Sequence, residues 1–324
     1  MFMTALHKKE RLFSATSSHK EIMAVVDRFK PDAYWLHTLT WAPNAFEKIM
    51  LNSKQTKVLT YHTLVEDYGR AYAGEIGAWR MRIRSKEVCN EVDAVIVPSS
   101  VIAKRLVNYG VTKPLHVIPT GITVPETPYS KSEVAQRFKF SPQSQLLLYV
   151  GRVSKEKSID KLLELVKPTL IQTDSVLLLV GPGDILDTEE QAEKMGLKGK
   201  VICTSALPKE DTQKIYGAAD VFVFASQSET QGLVIGEAML AGAPVVAMIS
   251  SIQEEVYPKH TAMVAKNIGE FHQHLTQILQ NEALRRQLTS EAKKFVQANF
   301  SIEGMINKQE QLFSQLIDQE STLR

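Results

Sequence analysis

Segments with the composition of β-strands alternate along most of the chain with segments in which apolar residues recur at helical spacing. In the first such pair, apolar residues recur every three or four positions over residues 20–30, Pro31 ends the helix, and residues 33–36 form a short apolar strand. Strands that alternate with helices usually pair in parallel. The pattern therefore predicts parallel sheets covered by helices, which is an α/β fold.

The alternation continues on both sides of a polar, proline-containing stretch over residues 125–144. The other strands are predicted at residues 56–61, 94–97, 116–118, 146–150, 175–180, 201–202, 221–224 and 245–248. The other helices are predicted at residues 78–90, 99–109, 132–138, 159–166, 209–217, 233–240, 269–280, 281–298 and 303–317. We place the domain boundary at the start of the polar stretch. A first domain over residues 1–125, completed by residues 303–324, and a second domain over residues 126–302 are therefore expected.

Composition excludes several classes of protein. The formal net charge of +2 is too close to neutral to indicate a nucleic-acid partner. The two cysteines, Cys89 and Cys203, do not stand in a metal-binding or disulfide pattern. No uninterrupted apolar run approaches the ~18 residues of a membrane span, and residues 1–20 lack the pattern of a signal peptide. A cytoplasmic protein is expected.

The loop after the strand LLLYV carries Gly151, Arg152 and Lys157. Open parallel sheets bind ligands at the carboxyl ends of their strands, so this loop is suitably positioned to contact one. The planar guanidinium of Arg152 and the point charge of Lys157 both suit a diphosphate. The alternative is an ordinary solvated loop between a strand and a helix.

A second loop, after the strand VFVF, contains Glu229 and Glu237 eight positions apart and Gly232 where a helix begins. The amides of Gly232 and Leu233 would point at an anion beyond the helix N-terminus, and the two carboxylates would accept hydrogen bonds from ligand hydroxyl groups. The alternatives are helix capping for Glu229 and an exposed helix face for Glu237. Because the neighbours of Glu237 are apolar, its carboxylate needs a partner.

Two more loops at the same edges are less specific. Gly181 and Gly183 follow the strand SVLLLV, and their small size would let the backbone approach a ligand, although turns of this composition are common. His62 follows the strand at residues 56–61, where a ligand is expected, but a histidine in this position can equally be structural.

Together these segments resemble a known family. VGRVSKEKSIDKLL, HVIPTGI and ASQSETQGLVIGEAMLAGAPVVA, with its E-x7-E pattern, are similar to the retaining glycosyltransferases of the GT-B type, a large group often called family 4. The resemblance covers most of residues 56–300 in order and spacing. It implies a GT-B fold, in which two Rossmann-like domains face a cleft.

The resemblance also implies a role for each matching residue. Arg152 and Lys157 would neutralise the diphosphate of a nucleotide-sugar donor, Glu237 would hold the ribose, and Glu229 would hold sugar hydroxyl groups. His62 matches a first-domain histidine that faces the transferred sugar. The remaining donor-binding residues would be Gly151, Gly181, Gly183, Thr230, Gln231, Gly232 and Leu233. The chain has no Asp-x-Asp motif, so transfer without a metal or another cofactor is expected, with Arg152 and Lys157 in place of a cation.

Two segments are similar to bacterial diacylglycerol glucosyltransferases, namely HTLVEDY and SETQGL. That likeness implies a UDP-sugar donor, a glucose-like sugar and a lipid acceptor. The segment GAWRMRIRSK carries Trp79, Arg80, Arg82 and Arg84, a combination suited to the anionic inner face of a membrane. An ordinary exposed helix face is the alternative.

The sequence departs from the family pattern before residue 69. Family members open with a strand and a glycine-rich loop, whereas no glycine precedes Gly69 here, which predicts an N-terminally shortened first domain with an incomplete sheet. An exposed sheet edge of this kind could be covered by a second chain, so an oligomer is one expectation. Thr120 and Ser158 stand where asparagine and glycine, respectively, are common in the family.

Three functions are compatible with these observations. The first is an active glycosyltransferase, and the second is a catalytically impaired protein that binds nucleotide sugars but lacks the N-terminal acceptor elements. The third, a phosphorylase or epimerase on the same architecture, is less favoured because no lysine-containing cofactor motif is evident. The sequence does not distinguish uracil from guanine as the donor base.

Overall fold

The computed structural model describes residues 18–37, 39–124 and 127–323. The chain divides into two compact units: unit 1 comprises Met1–Pro119 with Met305–Arg324, and unit 2 comprises Thr120–Gly304. Unit 2 begins a few residues before the predicted boundary because Thr120 and Ile122 hydrogen-bond to Gln231 and Phe300, which belong to unit 2.

Unit 1 contains a four-stranded parallel sheet in the order β1-β2-β3-β4. Its strands are β1 (Ala33–His37), β2 (Thr56–Thr60), β3 (Ala94–Val97) and β4 (Leu115–Val117). Its helices are α1 (His19–Phe29), α2 (Ala45–Asn52), α3 (Val65–Glu91), α4 (Ser100–Asn108) and most of the last helix, α13 (Ile302–Leu323). The sequential strand order follows from each helix returning the chain to the next position in the sheet.

The two faces of this sheet are covered by different parts of the chain. On one face, residues of α1 to α4 pack with Leu59 and Val95 into one apolar cluster. On the other face, Val58 and Ile96 pack against Leu312 of α13. Alternate residues of one strand therefore serve two cores, which explains why β3, with the sequence AVIV, is apolar and buried throughout.

Helix α3 is interrupted near its first third. Ala73 and Gly74 have non-helical backbone angles, and Gly74 has φ of 57°, a conformation that favours glycine. The chain folds back at this point and brings the backbones of Gly69 and Gly77 together so closely that a Cβ on either residue would collide with the other. The sequence predicted only the second part of this helix, because the glycines hide the helical pattern of the first part.

Unit 2 contains a six-stranded parallel sheet in the order β10-β9-β8-β5-β6-β7. Its strands are β5 (Gln145–Val150), β6 (Ser175–Val180), β7 (Val201–Thr204), β8 (Val221–Phe224), β9 (Val245–Met248) and β10 (Met263–Ala265). Its helices are α5 (Lys131–Phe138), α6 (Ile159–Gln172), α7 (Ile185–Lys194), α8 (Lys209–Ile215), α9 (Leu233–Ala241), α10 (Ser251–Glu255), α11 (Ile268–Gln280) and α12 (Glu282–Asn299), with short 3-10 turns at Lys155–Lys157 and Tyr216–Ala218.

The direction in which strands are added reverses between β5 and β8. Strand β5 pairs with β6 on one side and with β8 on the other, so the loops after β5 and β8 leave the sheet side by side. Such a reversal is where open parallel sheets place their ligands. The two loops that the sequence singled out for an anion and for hydroxyl groups are the loops at this position.

The sequence did not predict α2, α7, α10 and β10, and it ended α6 too early. Helix α6 was predicted at residues 159–166, but it continues through Pro168 to Gln172. Strand β10 has three residues, too few for an alternating pattern to be recognised.

Candidate active site

Lys157 and Glu229 form an ion pair at the reversal point of the unit 2 sheet. Lys157 Nζ lies 2.8 Å from Glu229 Oε1 and also donates to the carbonyl oxygen of Ser228 at 3.2 Å. The two side chains are 22% and 17% exposed, so the pair is accessible but largely surrounded by protein. The residues predicted to meet a diphosphate and a sugar thus lie in direct contact, although they are 72 positions apart in the chain.

Arg152 lies in the same loop as Lys157 and is more exposed. Its Nη1 donates to Glu156 Oε1 at 2.9 Å, and the Arg152 side chain is 46% exposed. The hydroxyl of Ser228 donates to the carbonyl oxygen of Glu156 at 3.1 Å, which ties the two loops together. Each predicted anion-binding cation therefore has a carboxylate partner within unit 2.

Gly151, Gly181 and Gly183 have φ of 148°, 150° and 146°, which few residues other than glycine adopt. They allow the loops after β5 and β6 to pair: the amide of Val153 donates to Pro182 O at 2.8 Å. A Cβ on Gly181 would collide with Gly151 O, and a Cβ on Gly183 would collide with Val153 O. These glycines are thus required for contact between two loops, a role that sequence analysis did not consider.

Ser158 has φ of 57°, so this residue adopts the left-handed conformation that accounts for glycine being common at its position. It directly precedes α6 and ends the 3-10 turn that carries Lys157. The lysine is therefore held on a tightly wound segment.

The predicted helix N-terminus is present at Gly232. Gly232 has φ of 72°, helix α9 starts at Leu233, and the carbonyl oxygen of Gly232 accepts a hydrogen bond from the Tyr257 hydroxyl at 2.9 Å. Thr230 lies in the same loop, half-buried, and the side chain of Gln231 is buried. The loop is therefore anchored to the core of unit 2 by its backbone.

Glu237 has the partner that its apolar surroundings require. The Tyr216 hydroxyl donates to Glu237 Oε2 at 2.8 Å. Burial raises the pKa of the Glu237 carboxyl group above its ordinary value, an effect that the hydrogen bond from Tyr216 opposes. A ligand hydroxyl group that donates to this carboxylate would favour its charged form.

His62 lies in unit 1 beyond the end of β2, beside a second histidine that sequence analysis missed. The imidazole rings of His37 and His62 meet edge to face with their centroids 5.7 Å apart. Burial lowers the pKa of both rings, and His62 contributes to lowering the pKa of His37 to about 4. The position of His37 at the last residue of β1, next to β2, could have indicated this pair.

The predicted membrane-contact residues divide into two groups. Trp79 is 58% exposed, and Arg80 stacks on the ring of Trp41 with its guanidinium carbon 5.9 Å from the ring centroid. A cavity of about 470 Å³ lies between these side chains. Arg84, in contrast, is 14% exposed and forms an ion pair at 2.6 Å with Glu47, which is 1% exposed.

Arg82 also faces other charged residues. Its Nε lies 3.9 Å from Glu66 Oε2, and its Nη2 lies 3.5 Å from Glu75. Glu66 is largely buried and accepts a hydrogen bond from Arg105 at 3.0 Å. Arg82 and Arg84 thus contribute to contacts within unit 1, while Trp79 and Arg80 remain available at the surface.

Within the described ranges, no helix has the length and apolar character of a membrane span. The same ranges contain no group of three or more histidine, cysteine, aspartate or glutamate side chains arranged to hold a metal ion.

The sequence matches two families of known proteins. Residues 130–295 match Glycosyl transferases group 1, and residues 5–124 match Glycosyltransferase Family 4.

Two curated relatives are similar to part of this chain. The chain is 35% identical over 198 residues to an alpha-monoglucosyldiacylglycerol synthase of Streptococcus pneumoniae, a match that covers 58% of this chain and 45% of the relative. It is 29% identical over 247 residues to a sulfoquinovosyl transferase of Arabidopsis thaliana, covering 74% of this chain and 46% of the relative. The match thus spans less than half the length of either relative.

Solved structures share the fold. The Anabaena protein HepE in complex with UDP-glucose superimposes with a TM-score of 0.76 at 15% identity, covering 92% of this chain and 82% of HepE. A sucrose-phosphate synthase from Thermosynechococcus elongatus gives a TM-score of 0.76 at 23% identity, covering 93% and 77% of the two chains. The architecture, two α/β units with parallel sheets, is that of the GT-B glycosyltransferases.

Proposed function

The chain belongs to the family Glycosyl transferases group 1, and on that premise we propose that it transfers a glucose-like sugar from a UDP-sugar to a lipid acceptor with retention of the anomeric configuration. The observation that supports this most directly is the contact between Lys157 and Glu229, 2.8 Å apart at the reversal point of the sheet. In this position a cation meets the diphosphate while a carboxylate meets the sugar.

The donor site has to stabilise negative charge. Negative charge develops on the diphosphate as the bond to the sugar breaks, and positioned cations lower the energy of that state. Arg152 and Lys157, with the amides of Gln231, Gly232 and Leu233 at the start of α9, would supply this stabilisation without a metal. Thr230, Gly151, Gly181 and Gly183 would complete the donor site, with Glu237 on the ribose.

The acceptor proposal rests on unit 1. His62 would face the transferred sugar, and the lowered pKa of its imidazole favours the neutral form, which can accept a hydrogen bond from a hydroxyl group. A lipid acceptor is supported by the name of the relative from Streptococcus pneumoniae, a monoglucosyldiacylglycerol synthase.

A peripheral membrane contact is proposed at the surface of α3. Ile76, Trp79 and Ile83 are 73%, 58% and 36% exposed and follow one another at helical spacing. Tyr72, before the break in α3, is 82% exposed. Large apolar side chains next to Arg80 match the boundary between lipid headgroups and acyl chains on an anionic cytoplasmic membrane surface.

The donor proposal is tested by calorimetric titration with UDP and with GDP. Lys157→Met should weaken UDP binding by about tenfold to a hundredfold, the contribution of one charge-assisted contact. Lys194→Met is the matched control, because Lys194 is 72% exposed and pairs with Glu190 on its own helix. Equal affinities of both variants and the unmodified protein would show that the diphosphate does not bind at Lys157.

Turnover is then measured as UDP released from UDP-glucose with and without vesicles that contain diacylglycerol. Glu229→Gln should lower turnover more than UDP affinity, whereas Arg152→Ala should lower both. Nucleotide binding without turnover would instead indicate the second candidate, a catalytically impaired nucleotide-sugar-binding protein.

The membrane proposal has its own test. Trp79→Ser should reduce co-sedimentation with anionic vesicles, whereas Ile171→Ser, at a 57% exposed position in unit 2, should not. Equal co-sedimentation of the two variants would contradict a contact through α3.

A further inference from the structure

The side chain of Gln231 is bound to the segment where the chain enters unit 2. Gln231 is 1% exposed, and its Oε1 accepts a hydrogen bond from the amide of Thr120 at 2.8 Å. Its Nε2 donates to the carbonyl oxygen of the same residue at 3.1 Å. We call this two-bond contact the Gln231 clamp. In this clamp the side chain of Gln231 binds both backbone groups of Thr120, while the backbone of Gln231 belongs to the proposed donor loop.

The segment held by the clamp also contacts the end of unit 2. The amide of Ile122 donates to Phe300 O at 2.8 Å. Gly121 lies so close to Ile302 that a Cβ on this glycine would collide with Ile302. The chain enters unit 2 at Thr120 and leaves it after Gly304. Both segments that connect the two units therefore meet at this point of unit 2.

Glutamine is suited to the clamp because its side-chain amide has the same donor and acceptor pair as a peptide group. Glutamate could accept from the Thr120 amide but could not donate to its carbonyl group, and methionine of similar size could do neither. A buried peptide group left without partners is strongly unfavourable, so the clamp couples the position of the donor loop to that of the connecting segment.

We propose that Gln231 is a positioning residue, which holds the loop amides at the start of α9 against residues 120–122, so that nucleotide bound at the loop also restrains the connecting segment. The proposal rests on the proposed donor site. By reciprocity, any restraint that the nucleotide places on the segment equals the gain in nucleotide affinity that the ordered segment provides. The connecting segment should therefore report on nucleotide binding although it need not touch the nucleotide.

Hydrogen exchange measured by mass spectrometry tests this in the full chain. With saturating UDP, a peptide that contains residues 118–123 should exchange about tenfold more slowly than without nucleotide. In Gln231→Met this UDP-dependent protection should disappear, and UDP affinity should fall by about tenfold. Gln227→Met is the matched control, because Gln227 lies in the same loop but is exposed and donates to the carbonyl group of Ile249 at 3.1 Å. It should keep the protection.

Each outcome decides between the proposals. If the unmodified protein binds UDP but the peptide exchanges at the same rate with and without it, the clamp proposal is wrong and the donor site stands. If Gln231→Met binds UDP as the unmodified protein does, the clamp is only structural. If Gln231→Met does not fold, Gln231→Glu, which keeps one of the two bonds, should show reduced UDP-dependent protection, and full protection would overturn the proposal. If neither UDP nor GDP binds, both the donor site and the clamp proposal fail.

Discussion

Replacing Arg84 by methionine should destabilise unit 1 strongly, although this arginine belongs to a segment whose composition suggests a membrane surface. Arg84 Nη2 lies 2.7 and 2.6 Å from the two carboxylate oxygens of Glu47, and its Nε donates to Thr40 O at 2.7 Å. Glu47 is 1% exposed, so the substitution would leave a buried carboxylate without its cation. Removal of one partner from a buried ion pair costs about 3–5 kcal/mol.

Arg80→Met is the control, because Arg80 is exposed and its contact is with the ring of Trp41. Its loss should change the free energy of unfolding by no more than about 1 kcal/mol. The double variant Glu47→Leu with Arg84→Met should recover much of the loss, since an apolar pair of similar volume often replaces a buried ion pair without penalty.

Tryptophan fluorescence during urea unfolding isolates the relevant unit. The chain has three tryptophans, Trp35, Trp41 and Trp79, and all of them belong to unit 1. A loss in Arg84→Met no larger than the loss in Arg80→Met would refute the assignment of Arg84 to the interior. Unchanged stability together with weaker vesicle binding would restore Arg84 to the membrane surface.

Three further outcomes follow from the geometry. In thermal unfolding, Gly183→Ala should destabilise unit 2 by at least about 3 kcal/mol, because its φ of 146° and the neighbouring loop both oppose a Cβ. Gly242→Ala is the control: this glycine has φ of 87° but lies in open space, so the substitution should cost about 1–2 kcal/mol. The pKa of His37 falls from 6.5 to about 4 on folding, so on acidification the unfolded chain binds a proton before the folded chain does. The free energy of unfolding should therefore decrease from pH 6.5 to pH 4. In urea titrations, His37→Gln should make this decrease smaller. Because the pKa of Glu237 is raised, UDP affinity measured by calorimetry should fall as the pH is lowered through that pKa, and Glu237→Gln should bind weakly at every pH.

The sequence was sufficient for the fold class and for the elements with a clear period. The parallel sheets and the GT-B architecture were predicted and are confirmed. Helix α2 was missed because Glu47 stands on its buried face, and an apolar pattern with a charge in the middle does not indicate a helix. The arginine that makes this charge acceptable comes 37 positions later, which no local pattern can show.

Some residues of the candidate site could likewise be predicted from the sequence, and others could not. The loops of Lys157 and Glu229 could be found because each follows a predicted parallel strand, where ligands bind, and because their residue types suit a ligand. The pairing of Gln231 with Thr120 could not, because it joins backbone groups to a side chain 111 positions away. The contact between Tyr216 and Glu237 could not be predicted either. Tyr216 lies in a short 3-10 turn, and no sequence pattern there indicates its partner.

The return of α13 to unit 1 has a consequence for the order in which the protein folds during synthesis. Leu312 and Phe313 cover one face of the unit 1 sheet, against residues that include Trp35 and Val58. The ribosome makes all of unit 2, Thr120–Gly304, before it reaches these residues, which takes about 10–40 s at about 5–20 residues per second. During that time apolar side chains of a nearly finished sheet remain open to water. The nascent chain therefore presents a binding surface for chaperones that the finished protein no longer exposes.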